Sequence, residues 1–389
     1  MATRKRILLV LSYYDPYISG VSEYAKMLAE GLAAHHDVTV LTGRHIHTLP
    51  LAEVIGGVTV VRAKPLFFLH KGYVSLDLAL KFRRLARNAE IINFHLPMLD
   101  ALWLTPLAPR RARFITTYQC DVQSVGGWLD RLAVWAVNFG ARTCIRRSEK
   151  VVALSDDYAA GSDILSKQSV PIVEGYAPIK DTGLPSINRL GNEGAFPIVG
   201  FLGRFVVEKG IDVLIRAFER VRLLYPNARL LLGGDYKTVA GGSIYPQLKS
   251  SIDALGDCVQ LLGRIEEADL PDFYACLDVF VLPSINAYEA FGMVQVEAML
   301  AGVPVVASDM RGVRVPIQLI GAGNLALPGS DQSLASAIID AVSVERRQDR
   351  AAVRQAALKI FSNQAFIDRY LALIDPDRTH EKEPVFDRE

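Results

Sequence analysis

Residues 277–309, LDVFVLPSINAYEAFGMVQVEAMLAGVPVVASD, constrain the fold more than any other stretch of the chain. The stretch opens with an apolar segment, 278–282, in which hydrophobic and polar residues do not alternate, and this indicates a strand buried on both faces. A helix is predicted at about 291–300, ended by a glycine and a proline, and a second buried strand follows at 303–307. A strand, a helix and a strand in this order imply a parallel sheet with a right-handed crossover.

Two glutamates, Glu289 and Glu297, lie eight positions apart in this stretch. If both are helical they are ~12 Å apart along the axis, which is too far for a general acid and base acting on one bond. They are suited instead to contacting two parts of one elongated ligand. Between them, Phe291, Gly292 and Met293 lie at a helix start, whose free N–H groups suit an anion such as a phosphate. A helix N-terminus with acidic residues and one exposed glutamate is the structural alternative.

Strand and helix signals alternate through the rest of the chain. Strands are predicted in the first half at residues 6–12, 38–42, 58–62, 90–95, 113–118 and 150–155, and helices at 21–34, 73–87, 128–147 and 158–166. The second half repeats the rhythm, with strands at 198–203, 228–233 and 258–262 and with helices at 211–224, 330–344, 347–361 and 364–374. This order predicts an α/β fold of doubly wound parallel sheets, whose ligands lie beyond the carboxyl ends of the strands.

The length of 389 residues suits two domains of ordinary size. Residues 176–196 interrupt the rhythm with prolines and glycines, and they are predicted to link the domains. The expected boundaries are therefore 1–175 for the first Rossmann-like domain and 197–360 for the second, with a last helix in 361–375.

Composition places the chain among globular proteins, because half of its residues are hydrophobic and 22% are charged. No apolar run approaches the ~20 residues of a membrane-spanning helix. The basic and apolar start imitates a signal peptide, but Asp15 and Pro16 follow it at once, so a first strand is expected there. The four cysteines form no close pair of the metal-ligand or redox type, and a reduced cytoplasmic setting is expected.

Charge is distributed unevenly along the chain. Residues 1–178 contain 21 Lys and Arg against 15 Asp and Glu, or +6, whereas the remainder contains 22 against 27, or −5. A basic first half favours an anionic acceptor or an anionic membrane surface, such as the inner face of the cell membrane. An uneven scatter of solvated charges is an equally good explanation, and both stay open.

Two cations follow the first strand of the second half. Gly203 ends that strand, and Arg204 and Lys209 then lie five positions apart beside the predicted start of helix 211–224. A guanidinium and an ammonium group next to free helix N–H groups form a strong site for a diphosphate. The strand at 228–233 is not followed by the G-x-G-x-x-G spacing of a dinucleotide site, which argues against hydride chemistry.

Polar residues and a glycine also follow strands of the first half. Gly20 lies between the first strand and its helix, where it lets a ligand approach the backbone. His95 ends one strand, and Gln119 and Asp121 follow the next, so all should open onto the same edge of the sheet. A lone histidine is more often structural than catalytic, and a plain turn is the default for a lone glycine.

The strings EAFG at 289–292, VEAM at 296–299 and AGVPVVAS at 301–308 follow one another in a specific order. With the Gly-Arg…Lys-Gly pattern at 203–210, they resemble the signature of retaining glycosyltransferases of family four, the glycosyl transferases of group 1. The resemblance implies the GT-B fold, in which two Rossmann-like domains enclose a cleft and the last helix crosses back onto the first domain. It also implies transfer of a sugar from a nucleoside-diphosphate sugar to a hydroxyl acceptor (a glycan, a lipid-linked molecule or a small molecule), with retention at the anomeric carbon.

The resemblance assigns roles residue by residue. It implies catalytic roles for Glu289, Arg204 and Lys209, with the two cations stabilising the departing diphosphate. Donor contacts are implied for residues along the strand ends, namely Gly20, Gly203, Arg264, Ile265, Phe291, Gly292, Met293 and Glu297. Among these, Arg264 and Ile265 would lie against the nucleobase, and Glu297 would hold the ribose hydroxyls.

Two departures from the family pattern occur in the first half. Ser19 stands where relatives have the first glycine of a pair, and Gln119 stands where many have a histidine that contacts the donor sugar. An amide donates and accepts hydrogen bonds but does not titrate near neutrality, so His95 or Asp121 is expected to matter more for contacts to the sugar or acceptor.

The resemblance implies no metal, no cofactor and no nucleic-acid partner, and it leaves the oligomeric state open. Two other functions stay open as well. One is a different GT-B activity, such as a sugar phosphorylase or a nucleotide-sugar epimerase. The other is a non-catalytic nucleotide-binding subunit.

Overall fold

A computed structural model describes residues 3–69, 72–122, 126–179, 181, 183, 191–239, 242–286, 289–343 and 349–375. The chain divides into two compact units: Met1–Pro178 with Asn363–Glu389, and Ile179–Ser362. Part of the predicted linker, namely 180, 182 and 184–190, lies outside the described residues. Each unit is built around its own parallel sheet.

Sixteen strands are found among the described residues. Those of the first unit are β1 (Arg6–Val10), β2 (Asp37–Gly43), β3 (Ala52–Ile55), β4 (Val58–Ala63), β5 (Phe67–Leu69), β6 (Gly72–Val74), β7 (Ile91–Leu96), β8 (Arg113–Tyr118), β9 (Lys150–Ala153) and β10 (Ile172–Glu174). Those of the second unit are β11 (Ile198–Leu202), β12 (Arg229–Gly233), β13 (Val259–Gly263), β14 (Val279–Leu282), β15 (Val305–Ser308) and β16 (Asn324–Ala326).

The helices flank these sheets. The first unit contains α1 (Gly20–Ala33), α2 (Leu76–Ala86), α3 (Ala101–Leu104), α4 (Trp128–Arg147) and α5 (Asp156–Gly161). The second contains α6 (Ile211–Leu224), α7 (Tyr245–Leu255), α8 (Leu270–Cys276), α9 (Met293–Leu300), α10 (Val315–Ile320), α11 (Asp331–Val342) and α12 (Arg350–Phe361). The last helix, α13 (Asn363–Ile374), returns to the first unit.

The sheet of the first unit has the strand order β10-β9-β8-β7-β1-β2-β4-β3, and β5 and β6 form a separate antiparallel hairpin. All pairings in the large sheet are parallel except that of β3 with β4 at one edge. The central strands are buried on both faces, as the unbroken apolar runs predict. β3 and the hairpin were not predicted, because short edge strands carry little periodic signal.

The sheet of the second unit has the order β13-β12-β11-β14-β15-β16 and is parallel throughout. The predicted βαβ unit of residues 277–309 is present as β14, α9 and β15. On one face, α6 and α11 pack together over a core that includes Phe201, Leu214, Phe218 and Ile338. Two parallel-sheet α/β domains confirm the predicted fold class.

The predicted helix at 158–166 is wrong in its bounds. The helix there, α5, begins at Asp156, because the Ser155 side chain accepts a hydrogen bond from the N–H of Tyr158 and caps the first turn. It ends at Gly161, since Ser162 has extended backbone angles. A separate 3₁₀ turn covers Leu165–Lys167.

The last helix is fixed to the first unit at both its middle and its end. The Tyr370 hydroxyl lies 3.0 Å from the Tyr24 hydroxyl of α1 and 3.0 Å from the Thr117 hydroxyl of β8. Arg113 of β8 donates to the carbonyl oxygens of Leu373 and Ile374, 3.1 and 2.7 Å away, and so caps the helix C-terminus.

Candidate functional site

Glycines shape the carboxyl edge of the second sheet. Gly210 has φ +64°, and a Cβ atom there would overlap the carbonyl oxygen of Pro283. Gly234 has φ +125°, and a Cβ atom there would overlap the carbonyl oxygen of Gly203. Main chain packs directly on main chain at both places, so no other residue fits without a shift.

Backbone hydrogen bonds join these loops to one another. The N–H of Gly203 donates to the carbonyl oxygen of Gly233 at 3.0 Å, and the N–H of Gly234 donates to that of Gly263 at 2.7 Å. The N–H of Ile285 donates to the carbonyl oxygen of Glu208 at 3.0 Å. The loops after β11, β12, β13 and β14 therefore form one connected layer of main chain.

Lys209 and Glu289 form an ion pair in this layer. Their side chains are only 18% and 16% exposed. The Ser284 hydroxyl also donates to the Glu289 carboxylate, at 3.3 Å. Lys209 ends a 3₁₀ turn, and Gly210 then leads in a left-handed conformation into α6. The predicted cation and the first predicted glutamate are thus brought together next to a helix start.

Arg204 lies apart from this pair. Its side chain is 59% exposed, and its guanidinium lies 3.8 Å from the carboxylate of Glu208, four positions along the chain. At this distance and exposure the interaction adds little to stability. The structure therefore joins only one of the two predicted cations to Glu289.

Glu297 lies in α9 and accepts a hydrogen bond from the Tyr274 hydroxyl at 2.8 Å. Burial raises the pKa of Glu297 above its ordinary value, while the Tyr274 hydrogen bond acts in the opposite direction. Burial and the neighbouring carboxylate raise the pKa of Tyr274 as well. The two predicted glutamates thus have different partners and different surroundings.

The start of α9 is fixed by packing. Gly292 has φ +77°, and a Cβ atom there would overlap the side chain of Leu282. Phe291 is a core residue, 2% exposed, with its ring 5.8 Å from that of Phe361. Met293 begins the helix and is partly exposed. The Phe291 side chain is therefore used for packing, and only its backbone remains for a ligand.

Gln295 has a structural role that was not predicted from the sequence. It is fully buried, and its amide nitrogen donates to the carbonyl oxygens of Phe291 and Val313, 2.6 and 2.9 Å away. These bonds hold the loop before α9 against the loop before α10. An amide residue in a mainly apolar, buried helix is the signal that points to such a role.

The turn after β13 is open to solvent. Arg264 is 71% exposed and pairs with Glu266 at 3.3 Å. Ile265 instead packs over Gly233, whose missing side chain leaves room for it. Nearby, Asp235 accepts hydrogen bonds from the N–H groups of Lys237 and Thr238, which lower its pKa.

In the first unit, Ser19 caps α1. Its hydroxyl accepts from the N–H of Ser22 at 3.2 Å, and its own N–H donates to the Ser22 hydroxyl at 2.8 Å. Gly20 is the first helical residue, and no atom lies within 4 Å of where its Cβ would be. The serine thus defines the helix start, and the space in front of Gly20 is open.

His95 and Gln119 contact each other in the interior. His95 is fully buried, and its Nδ1 lies 3.5 Å from the amide nitrogen of Gln119. Burial lowers the pKa of His95 to about 3, so it stays neutral at physiological pH. This geometry gives the histidine no role as a charged group.

Asp121 is held by its own neighbours. Its carboxylate accepts hydrogen bonds from the hydroxyls of Tyr118 and Ser162, 2.7 and 2.6 Å away, and from the N–H of Asp163 at 3.0 Å. Its backbone N–H donates to the Tyr158 hydroxyl at 2.7 Å. The carboxylate therefore organises the loop after β8.

Within the described part of the chain, no group of three or more His, Cys, Asp or Glu side chains is arranged to hold a metal ion. No helix found there has both the length and the apolar character needed to cross a membrane.

Two family models match the chain. Residues 18–160 match Glycosyltransferase Family 4, and residues 186–359 match Glycosyl transferases group 1. Among curated proteins, mannosylfructose-phosphate synthase of Agrobacterium fabrum is 38% identical over 143 residues, which are 36% of this chain and 31% of that protein. The chain therefore matches about a third of the length of this relative.

Two solved structures share the fold. Sucrose-phosphate synthase of Thermosynechococcus elongatus aligns with a TM-score of 0.74 at 20% identity, over 97% of this chain and 100% of that one. HepE of Anabaena in complex with UDP-glucose aligns with a TM-score of 0.69 at 19% identity, over 96% and 100%.

Proposed function

The chain belongs to the glycosyltransferases of family 4 and group 1, with the GT-B fold, and on this premise we propose that it moves a sugar from a nucleoside-diphosphate sugar to a hydroxyl acceptor. The proposed reaction proceeds with retention at the anomeric carbon and needs neither a metal nor a cofactor. The observation that carries the proposal is the ion pair of Lys209 and Glu289 in the main-chain layer of the second unit.

The leaving group of this reaction is a nucleoside diphosphate on which negative charge grows. An ammonium group has three donors, so Lys209 can hold Glu289 with one and phosphate oxygens with the others. It lies next to the start of α6, whose free N–H groups also favour an anion. Because its side chain is only 18% exposed, its charge is screened less than that of a surface lysine.

Glu289 orients the donor sugar in this proposal. The Lys209 ammonium and the Ser284 hydroxyl both bind its Oε2, so the carboxylate has a fixed direction. The acceptor hydroxyl then attacks from the side that the diphosphate leaves, and a diphosphate oxygen takes its proton. No protein group is required as a base in this scheme.

Arg204 acts as the second cation in the proposal. The guanidinium is exposed and its link to Glu208 is weak, so little free energy is needed to turn it toward a bound diphosphate. Gly203, Gly292 and Met293 contribute close main chain along the same edge.

Glu297 would bind the ribose. Tyr274 holds Oε2 of the carboxylate, which leaves Oε1 for a ribose hydroxyl. Burial raises the pKa of Glu297 and so disfavours its charged form, and a pair of ribose hydroxyls would donate hydrogen bonds that stabilise this form. The exposed Arg264 and the partly buried Ile265 would contact the nucleobase.

The first unit would supply the acceptor contacts. Open space at Gly20 suits an approaching ligand, whereas Gln119 is buried beside His95 and supports this edge from within. Asp121 is hydrogen-bonded to its own neighbours and His95 is buried, so in the proposal both residues stabilise this edge and do not contact the ligand. We also propose a cytoplasmic location for the protein and contact with an anionic membrane surface.

A two-step assay tests the proposal. A thermal-shift screen with UDP, GDP and ADP identifies the base, and a panel of matching nucleotide sugars then tests release of the diphosphate and, by NMR, the anomeric configuration of the product. We expect one diphosphate to raise the melting temperature and its sugar to be consumed with retention. Absence of any shift and of any turnover across the panel would contradict sugar transfer. Absorbance of a pyridoxal cofactor in the purified protein would indicate a phosphorylase instead.

A further inference from the structure

Helix α4 carries a line of exposed apolar side chains. Trp128, Leu132, Trp135 and Phe139 are 73%, 55%, 59% and 45% exposed. Their spacing of four, three and four residues places them on one face of the helix. The rings of Trp135 and Phe139 stack at 5.5 Å. We call these four side chains the α4 stripe.

The fold of the first unit does not use the α4 stripe. The helix is held to the unit by another face, on which Ala141, Cys144 and Ile145 are at most 1% exposed. A Cβ atom on Gly140 would lie 2.9 Å from the backbone nitrogen of Leu102, so α3 packs tightly there. Exposing two tryptophans therefore has no structural purpose within the described chain.

Arginines flank the α4 stripe. At 100° per residue, Arg131, Arg142 and Arg146 lie within about 70° of its centre, whereas the acidic residue of the helix, Asp130, points to the opposite side. Arg131 and Arg146 are exposed.

Arg147, one position further, serves a different purpose. It donates to the carbonyl oxygens of Thr105, Ala108 and Pro109, at 3.2, 2.7 and 3.1 Å. Its side chain therefore supports the fold, while those of the three flanking arginines face the same side as the apolar residues.

The size and charge of this face indicate its occupant. Scaled by their exposed fractions, the four side chains present roughly 500 Å² of apolar surface, if an aromatic side chain offers 150–250 Å². That is less than the roughly 800 Å² per partner of a stable protein interface. A second copy would also bring two sets of arginines together. Tryptophan next to arginine on one helix face is typical of helices that lie parallel to the surface of an anionic lipid bilayer, at the level of the headgroups.

We propose that α4 docks the protein on anionic membranes, with the α4 stripe inserted at the level of the lipid headgroups and Arg131, Arg142 and Arg146 bound to lipid phosphates. The inference deepens the membrane contact in the proposed function by naming the surface that makes it, and it does not depend on the sugar transfer. The three arginines contribute to the net charge of +6 in residues 1–178, and the proposal gives them a defined binding partner.

Co-sedimentation of the full-length chain with lipid vesicles tests the proposal. Vesicles of phosphatidylcholine alone are compared with vesicles that contain about a third phosphatidylglycerol. We expect binding to the anionic vesicles, weakened about tenfold or more by Trp128→Ser with Trp135→Ser, since insertion scales with the apolar area buried. Arg131→Gln with Arg142→Gln and Arg146→Gln should abolish the preference for anionic lipid. Leu223→Ser with Leu224→Ser, at exposed positions of the second unit, is the matched control and should bind like the wild type.

Tryptophan fluorescence gives an independent readout. The chain has three tryptophans, two of them in the α4 stripe. On anionic vesicles their emission should shift to the blue and be quenched by brominated lipid, and Trp128→Phe with Trp135→Phe should remove both changes. Failure of the wild type to bind anionic vesicles, or equal binding by the stripe variant with an unchanged melting temperature, overturns the proposal. So does a dimer in sedimentation velocity that the stripe variant abolishes, because the stripe would then bind a second copy.

Discussion

The carboxyl edges of the two sheets are built in different ways. In the second unit, main chain packs on main chain at Gly210 and Gly234, and one ion pair, Lys209 with Glu289, lies within that layer. In the first unit, backbone hydrogen bonds also join the strand ends, such as that from the Gly43 N–H to the Ser12 carbonyl oxygen, but side chains add further bonds, such as those of Asp121 with its three donors. An edge made of backbone allows few substitutions, whereas an edge made of side chains can be rebuilt. This difference agrees with the proposed roles, in which the second unit binds a constant diphosphate and the first unit binds a variable acceptor.

The largest effect is expected from Gly210→Ala. The new Cβ would overlap the Pro283 carbonyl oxygen, and the residue would also be held at φ +64°. Gly263 is the matched control, since it has φ +67° but no atom within 4 Å of a Cβ. We expect Gly263→Ala to lower the free energy of unfolding by about 1 kcal/mol, the strain of the left-handed region alone. Gly210→Ala should cost several times more in denaturant unfolding, and equal losses would show that main-chain packing is not what requires glycine there.

Lys209→Ala should lower turnover by about a hundredfold, the usual cost of removing one group that stabilises a developing charge. Lys249→Ala removes a lysine from a surface pair with Asp253 and should leave turnover unchanged. Initial rates at saturating donor give the comparison. If both variants turned over like the wild type, the diphosphate role of Lys209 would be wrong.

A smaller effect on stability is expected from Asp121→Ala in the first unit. The change leaves the hydroxyls of Tyr118 and Ser162 and the N–H of Asp163 without their acceptor. We expect a loss of about 1–3 kcal/mol in the free energy of unfolding. Asp163→Ala, at an exposed position whose backbone makes the contact, is the control. A stable Asp121→Ala protein that has lost turnover would instead favour a direct contact of Asp121 with substrate.

No effect is expected from protonation of His95 near neutral pH. Burial lowers its pKa to about 3, below the ordinary value of 6.5, so the folded protein disfavours the charged ring. Its contribution to stability is therefore complete above pH 6.5 and is lost as the pH falls toward 3. The NMR signals of His95, assigned with His95→Gln among the seven histidines, should not move between pH 5 and 8. A midpoint near 6.5 would mean that the ring is open to water.

The two units differ in how much of their structure could be predicted from the sequence. The places of Gly203 at the end of β11 and of Lys209 just before α6 could be predicted, because the strand and the helix have clear hydrophobic patterns. The partner of Lys209 could not, since an ion pair between residues 80 positions apart depends on how the loops pack. Arg204 shows the same limit, because its position in the sequence does not determine the direction of a long, exposed side chain.

In the first unit, the strand ends could be placed but the roles of their polar residues could not. Whether Asp121 faces a ligand or Ser162 is decided by a contact across 41 positions. Likewise, the spacing of apolar residues in α4 is typical of an amphipathic helix and does not show which face is buried. The structure shows that Trp128 and Trp135 face outward.

Calorimetric titration of a nucleoside diphosphate and the matching monophosphate tests the central assignment most directly. For the wild type and for Lys249→Ala, we expect the diphosphate to bind about tenfold more tightly or better, since each 1.4 kcal/mol of added interaction is tenfold in affinity. For Lys209→Ala, we expect this preference to fall severalfold, while the Arg204 guanidinium and the N–H groups at the start of α6 remain to bind the second phosphate. A preference for the diphosphate that is undiminished in Lys209→Ala would contradict the assignment of Lys209 to the diphosphate site.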